Sequence, residues 1–442
     1  MSFVRSIGRW TLTALMINCI IGSGMFGVPA PLIASLGRAS PIAMIVAGLC
    51  MAVVVACFTE VGSQFSAPGG VYLYARTAFG TFAGLQVGWF WFLSTLAGAA
   101  AGANLFVEYL AGFAPAIVDG WLRVLIITTM MLIPAVANYA GVRQGSLLSN
   151  LFTIAKLLPL VLLIVLGMIR FSRHVEIVHF SEIVAPGWLA WGNALVLLYF
   201  IYSGFEDAMI PSGEVRNPQR TIPISLIMGV GICMAVYTLI QFLVVATIGA
   251  STSERPLATS AAVLIGSGGE RFVEVAAMIS AYGYISASML NAPRLLFSMA
   301  DRREIPALFG KLHPRFNTPH VSVITFAVLA WVLALTGTFH WAVVLSAGAA
   351  MIFDGTICAA LLRLRRTQPE AATFRLPFGP VFSALGMVIC AVLLSRMELK
   401  QVLLMGITAV IAAGNWWWAR LSNARTAQLQ AIPPAKLGTR AP

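Results

Sequence analysis

From Trp10 to Gly37 the sequence contains no Asp, Glu, Lys or Arg, yet the middle of this run, residues 20–30, reads IIGSGMFGVPA. A run of this length predicts a membrane-spanning helix, because about 20 apolar residues cross a bilayer. Gly22, Ser23, Gly24, Gly27 and Pro29 are poor residues for an unbroken helix. Hydrocarbon holds no water to satisfy a broken backbone ladder. A break at that depth survives only when buried in protein or facing a wet cavity. Any fold for this chain must therefore surround the middle of its first span.

The rest of the chain repeats the apolar theme. Only 10% of its 442 residues are charged and 59% are hydrophobic, where soluble domains carry roughly a quarter charged residues. Charge-poor windows fall near 10–35, 40–60, 82–110, 122–142, 147–169, 188–211, 222–249, 272–299, 320–338, 341–362, 377–395 and 399–419. The expected fold is an all-α polytopic membrane protein with twelve transmembrane helices. The cut between the ninth and tenth windows rests on TGTFH at 336–340, the one turn signal in a charge-free run from Phe316 to Phe353.

Lys and Arg divide unevenly across these windows. One set of loops and tails holds 19 of them, the alternate set holds 8, and Lys156 lies inside a span. The richer side is expected in the cytoplasm, which places both termini there, as an even number of spans requires. The net charge of +12 is explained by this asymmetry, with no nucleic-acid partner. Trp416, Trp417 and Trp418 beside Arg420 read as an interfacial belt at the inner end of the last span. The first span is too long for a cleavable signal and lacks a small-residue cleavage site. All six cysteines lie in apolar runs without a C-x-x-C pair, and the five histidines lie in or beside loops. Buried free thiols and no metal are expected.

The sixth window repeats the oddity of the first. Aligning 20–26 with 200–206 pairs Ile21 with Ile201, Ser23 with Ser203 and Gly24 with Gly204, and a proline follows each, Pro29 and Pro211. Five spans per unit place the second unit upside down relative to the first. Spans 1–5 and 6–10 then form an inverted repeat with two spans appended. Packing alone explains small residues in a helix. Duplicated breaks, each with a proline and one carrying Glu206 and Asp207, point instead to a transporter binding site near the midplane. The N–H groups that begin the outer half of span 1 near Gly24 favour an anion. Carbonyls that end the helices near Ile20 and Ile21, and from Phe200 through Tyr202 to Ser203, favour a cation, with Gly204 completing the second break. A carboxylate beside an ammonium, the common part of α-amino acids, fits both.

The chain resembles the amino acid–polyamine–organocation (APC) superfamily of permeases. GSGMF in the first span, FSAPGGVYLYARTAFG at 65–80, GFED followed by GEVRNPQRTIP at 204–223, and FSMADRREIPALFGKLHPRFNTP at 297–319 carry the resemblance, which runs from about residue 7 to about 420. It implies a LeuT-like 5+5 inverted repeat with discontinuous helices 1 and 6, working by alternating access. The corresponding division is residues 1–170 for the first repeat, 171–375 for the second, 376–420 for two further helices, and 421–442 for a polar cytoplasmic tail without regular structure. The resemblance also implies a carboxylate site at Gly22, Ser23 and Gly24, and ammonium-binding carbonyls at Ile20, Phe200 and Ser203. It implies an acidic gate at Glu206. Phe200 stands where arginine/agmatine exchangers carry a Trp, and Ser288 where they carry another aromatic. A neutral amino acid is therefore the expected substrate, with a cationic amino acid or polyamine as the alternative. The implied location is the cytoplasmic membrane, with monomer or homodimer left open.

Lys156 is expected about 13 Å into the bilayer, from a rise of about 1.5 Å per residue after Leu147. Snorkelling to the interface is one reading, and an ion or proton pathway the other. In the resembled family, a lysine here stands where sodium-coupled relatives hold sodium. That implies a sodium-independent carrier, coupled to protons or exchanging substrates, with no other cofactor. Ser280 and Tyr284 are candidates to face Lys156. Glu60, Glu108 and Glu274 are expected to be solvated at span ends, and Asp354 to be either a gate or the partner of an Arg. A channel would need a continuous polar lining, and an enzyme a paired nucleophile and base or a metal set. Neither pattern occurs. An amino acid receptor that does not transport stays open.

Overall fold

The computed structural model describes residues 8–65, 70–114, 117, 120–141, 146–173, 186–207, 209, 215–249 and 253–430, with the backbone alone at 146–155, 171–173 and 423–430. Among these residues the elements are all helical. They are α1 (Arg9–Ile20), α2 (Gly24–Gly27), α3 (Pro29–Leu36), α4 (Ser40–Ser63), α5 (Gly70–Phe79), α6 (Thr81–Leu110), α7 (Trp121–Tyr139), α8 (Ser146–Arg173), α9 (Trp188–Tyr202), α10 (Pro218–Ile248), α11 (Pro256–Ile265), α12 (Ser267–Asp301), α13 (His320–Thr336), α14 (Phe339–Thr367), α15 (Gly379–Leu394) and α16 (Leu399–Gln430).

Local sequence explains many of the boundaries. α3, α4, α10, α11 and α15 each carry a proline in the first turn, where its missing N–H has no intrahelical partner to lose. The long charge-free run breaks after Thr336, and the Thr338 hydroxyl accepts the Trp341 N–H at 3.3 Å to cap α14. Among the described residues, seven helical stretches are long and apolar enough to cross a bilayer, and four shorter apolar helices accompany them, including α9 and α13. The chain is a polytopic membrane protein. α9 is short, 15 residues, because it stops at the second expected break.

α6 lies at the centre. In its most apolar stretch 89% of residues are buried, against 22% in the corresponding stretches of α7 and α16, which carry Leu132, Val136 and Val410 on the outer surface. α6 earns its position through small residues. Ala97, Gly98, Ala99, Ala100, Ala101 and Ala103 are all packed inside, and a Cβ on Gly98 would meet the Tyr284 hydroxyl oxygen of α12 at 2.4 Å. Such faces let helices approach closely where lipid offers no hydrophobic push.

Several acidic residues differ from expectation. Glu60 is fully buried. It accepts two 2.6 Å bonds from Arg365 and the Leu376 N–H at 2.8 Å, tying α4 to the end of α14. Glu274 is also fully buried. It pairs with Arg255 and, at 2.9 Å, with Arg271, at the opposite end of the bundle. A span-end carboxylate covered by neighbouring chain must find a guanidinium in place of water. Only Glu108 of the three is exposed. Asp354 pairs with the Tyr199 hydroxyl at 2.5 Å and not with an Arg. Two short helices, α5 and α11, lie between the apolar windows and were not foreseen. α16 continues to Gln430, ten residues into the stretch read as irregular. Pro211 lies outside the described residues.

Replacing Glu60 by Gln should leave the Arg365 charge without its carboxylate and cost about 3 kcal/mol. Arg365→Lys, which keeps the charge but loses the two-pronged bond, should cost less. Thermal unfolding in detergent reads both, and a Glu60→Gln midpoint equal to the native one would remove this tie from the account.

Candidate functional site

Both expected breaks are present, and they face each other. α1 ends at Ile20, where the Gly22 N–H turns back onto the Ile20 carbonyl at 2.9 Å. The backbone resumes as α2 and α3, joined through Val28 in helical geometry. Among the described residues, the N–H groups of Ser23, Gly24 and Met25 enter no backbone hydrogen bond. They are the open donors of a helix beginning. α9 ends at Tyr202, Ser203 is extended, and Gly204 has φ of 105°. The Ser203 N–H and hydroxyl both turn back to the Tyr199 carbonyl, at 3.1 and 2.8 Å.

Glycine is required where the two breaks touch. A Cβ on Gly204 would lie 2.6 Å from the Cys19 carbonyl oxygen, and one on Gly24 would lie 2.8 Å from Ile201 and 2.9 Å from Phe200. Gly22 differs, since the nearest atom to its Cβ position is 3.9 Å away on Tyr284. Tyr237 of α10 ties the pair together. Its hydroxyl lies 3.0 Å from the Ile20 carbonyl and 3.1 Å from the Ile201 carbonyl.

A cavity of about 40 Å³ lies between the breaks, room on the order of one or two waters. Ile20, Gly22, Ser23, Gly24, Phe200, Ser203, Gly204 and Glu206 all line it, as the sequence placed them together. Tyr202 does not. It is fully buried on the other side of α9, with its hydroxyl on the Met44 carbonyl at 2.8 Å. Ser288 does not either, and its hydroxyl turns to the Tyr284 carbonyl of its own helix at 2.9 Å. Tyr284, one turn earlier, provides the α12 wall. The Ile20 carbonyl is also less free than expected, because it accepts the Gly22 N–H and shares the single Tyr237 hydroxyl proton with the Ile201 carbonyl.

Sequence reasoning missed the contributions of α6 and α14. Ser94, Thr95 and Ser346 line the cavity. Ser94 and Ser346 exchange bonds across the two helices, each hydroxyl reaching the other's carbonyl at 3.0 and 2.9 Å. Nothing in an apolar helix rich in small residues distinguishes such a serine from packing. Asp207 also lines the cavity, held by the Trp91 indole N–H at 3.1 Å. Glu206 is buried, and one of its oxygens accepts the Gly204 N–H at 2.9 Å. No Lys or Arg lines this space.

Glu206 also lines a second, wider cavity of about 310 Å³, bounded by Tyr72, Trp91, Asn291, Arg294 and Arg302. That cavity lies toward the end of the bundle where α6 begins and α12 finishes. Beyond Gly24, the buried Phe26 packs edge-on against Tyr109 at 6.4 Å, and the Tyr109 hydroxyl donates to the Phe26 carbonyl at 2.8 Å. Glu206 is the residue that lines both cavities, and the Trp91–Asp207 pair spans them, with Trp91 on the wider and Asp207 on the smaller.

Lys156 lines neither cavity. Its ammonium donates to the Asn18 carbonyl in the last turn of α1, tethering α8 to the helix just before the break. It neither reaches for the interface nor bonds Ser280 or Tyr284. Ser280 is buried and its hydroxyl has no hydrogen-bond partner among the described residues. Those residues contain no cluster of His, Cys, Asp and Glu suited to a metal ion.

The roles of the glycines separate experimentally. Gly204→Ala should lower the thermal unfolding midpoint, by the equivalent of about 2 kcal/mol, because it puts a side chain at positive φ against a backbone carbonyl. Gly22→Ala should leave the midpoint unchanged. The opposite order of stabilities would contradict the packing described here.

Comparison with known proteins adds a direct finding. The family model for amino acid permeases matches residues 7–421. The chain is 28% identical to the serine/threonine exchanger SteT of Bacillus subtilis, with 75% of this chain and 76% of that protein covered. It is 27% identical to the methylthioribose transporter of the same organism, over 88% and 87% of the two chains. It is 24% identical to the arginine/agmatine antiporter of Chlamydia pneumoniae, over 96% and 92%.

Proposed function

The chain belongs to the amino acid permease family, whose members are transporters and not enzymes, and from that premise we propose that it moves a neutral amino acid across the cytoplasmic membrane by alternating access, without sodium. The reading rests on one observation. Two broken helix ends face each other across a cavity, with open N–H donors at Ser23 and Gly24 on one side and the buried Glu206 carboxyl on the other. Donors at a helix beginning suit a carboxylate. The Glu206 and Asp207 side of the cavity suits an ammonium. The hydroxyls of Ser94, Thr95 and Ser346 leave a small polar space for the side chain, which favours a small neutral substrate.

In this proposal, twelve spans form the inverted repeat of five plus five with two appended. α1 to α3 make one broken span, and α9 begins the other. The arginine-rich end is cytoplasmic, so the 310 Å³ cavity opens inward and Glu206 with Trp91 separates it from the substrate. The 40 Å³ cavity is too small for an amino acid, so loading requires the two breaks to move apart. Lys156 stands against an α1 carbonyl that a sodium ion would otherwise coordinate, which supports a sodium-independent cycle. The coupling ion is then a proton, or the cycle is an exchange.

A cationic substrate is the second reading. Two carboxyls line a cavity that holds no Lys or Arg, and buried charges need partners. Relatives that bear the names of a serine/threonine exchanger and an arginine/agmatine antiporter are similarly distant in sequence, so likeness does not choose between the readings.

Counterflow in proteoliposomes, with a panel of labelled amino acids and with sodium replaced by choline, tests the proposal. Small neutral amino acids should exchange at unchanged rates without sodium. Uptake confined to arginine, lysine and polyamines would overturn the neutral assignment, and dependence on sodium would overturn the role given to Lys156. Glu206→Gln should weaken substrate binding about tenfold, the scale of one hydrogen bond to a charged group. Lys156→Ala should abolish the response of uptake to a pH gradient in a symporter. If that response persists in full, the proton does not pass through Lys156.

A further inference from the structure

A third cavity, of about 210 Å³, lies at the arginine-rich end. Arg76 of α5, Thr81 at the start of α6, Arg302 and Glu304 after α12, and Trp416 and Arg420 of α16 line it. Three guanidinium groups thus meet one carboxyl. Glu304 is already engaged. One of its oxygens lies 3.0 Å from Arg76 and the other accepts the Tyr72 hydroxyl. Arg302 and Arg420 have no carboxylate partner among the described residues. Each instead lies over an aromatic ring, Arg302 5.7 Å from the centre of Tyr72 and Arg420 5.6 Å from that of Trp416. The first turn of α6 adds the positive end of a 30-residue helix. The cavity therefore carries an excess of two positive charges and lacks an anion.

The setting identifies which anion. α16 forms one wall, and its most apolar stretch is only 22% buried. Trp417 and Trp418, on the same helix, are exposed. Phe82, also exposed, meets Trp416 edge-on at 5.4 Å on the rim of the cavity. Aromatic side chains flanked by arginines lie at the depth of lipid headgroups, and basic pockets between helices at that depth hold anionic headgroups. We propose that this cavity binds the phosphodiester headgroup of an anionic phospholipid, with its acyl chains on the exposed apolar surface beside α16. Arg302 and Arg420 hold the phosphate, and Arg76 stays with Glu304.

The site adjoins the transport path through one residue. Arg302 also lines the 310 Å³ cavity that leads to Glu206. A bound headgroup holds the Arg302 guanidinium at the rim of that cavity, so the lipid bears on access to the substrate site without touching it.

Native mass spectrometry of the full chain in detergent, with phosphatidylglycerol and phosphatidylcholine added together, tests the site whatever the transported substrate is. The native protein should retain phosphatidylglycerol in preference. Arg420→Gln should reduce that preference roughly fivefold, and the double variant with Arg302→Gln by the product of two such steps, from the contribution of each basic residue near an anionic lipid. Arg315→Gln, an exposed arginine elsewhere on the same end, should leave it unchanged. Arg420→Lys should restore part of the loss. Unchanged thermal midpoints in phosphatidylcholine alone confirm that the variants are folded. Equal preference in the double variant and the native chain would overturn the proposal. So would binding of inorganic phosphate with the same arginine dependence but no preference between the two lipids, which would make the cavity a site for a free anion.

Discussion

The structure depends on the backbone groups released where two helices stop inside the bundle. In hydrocarbon each unpaired N–H or C=O costs several kcal/mol. The chain meets this by setting one break against the other. Gly204 lies on the Cys19 carbonyl, Gly24 lies on Phe200 and Ile201, and one hydroxyl, that of Tyr237, serves carbonyls from both helices. Ser203 closes its own helix end with two bonds to Tyr199. What remains open after this pairing is a small set of N–H groups, and two of them, at Ser23 and Gly24, belong to residues that line the cavity. In the proposed function, the substrate meets the part of the breaks that the protein does not satisfy from within.

The same rule of local satisfaction shapes the surroundings. Tyr199, whose carbonyl receives Ser203, gives its hydroxyl to Asp354 of α14. Glu60 and Glu274 take guanidinium partners at opposite ends of the bundle. Lys156 caps an α1 carbonyl one turn before the break. Around these fixed points, the small residues of α6 let α12 and α14 close to short range, and Ser94 and Ser346 lock across that contact. The polar groups of this apolar chain are few, and most of those inside it hold helices in register around the two breaks.

Much of the site was readable from local pattern. Gly-Ser-Gly at 22–24 and Ser-Gly at 203–204 stop helices wherever the chain goes, because glycine and serine lower helix stability and the pattern occurs twice. Glu206, following directly, is carried to the same place. Positions farther along a helix were harder. Ser288 misses the cavity by one turn, and Tyr284 takes its place. Tyr202 adjoins the break, yet it points to Met44. Helix phase relative to a distant neighbour is not encoded in the residues of that helix alone. The partner of Glu60 lies 305 residues away, and a carboxylate near a span end looks the same in sequence whether water or arginine will meet it.

The sequence by itself determined that the chain lies in a membrane as apolar helices, that two of them are interrupted, and that the interruptions offer N–H groups and a carboxyl. These follow from composition and from residues that cannot continue a helix, which are local properties. Only the tertiary structure decided which faces of α6, α12 and α14 complete the cavity, that the Ile20 carbonyl is already engaged, and that Glu206 lines both a small cavity and a wider one. Those outcomes depend on how side chains hundreds of residues apart pack together, and that packing sets the rotation of each helix about its own axis.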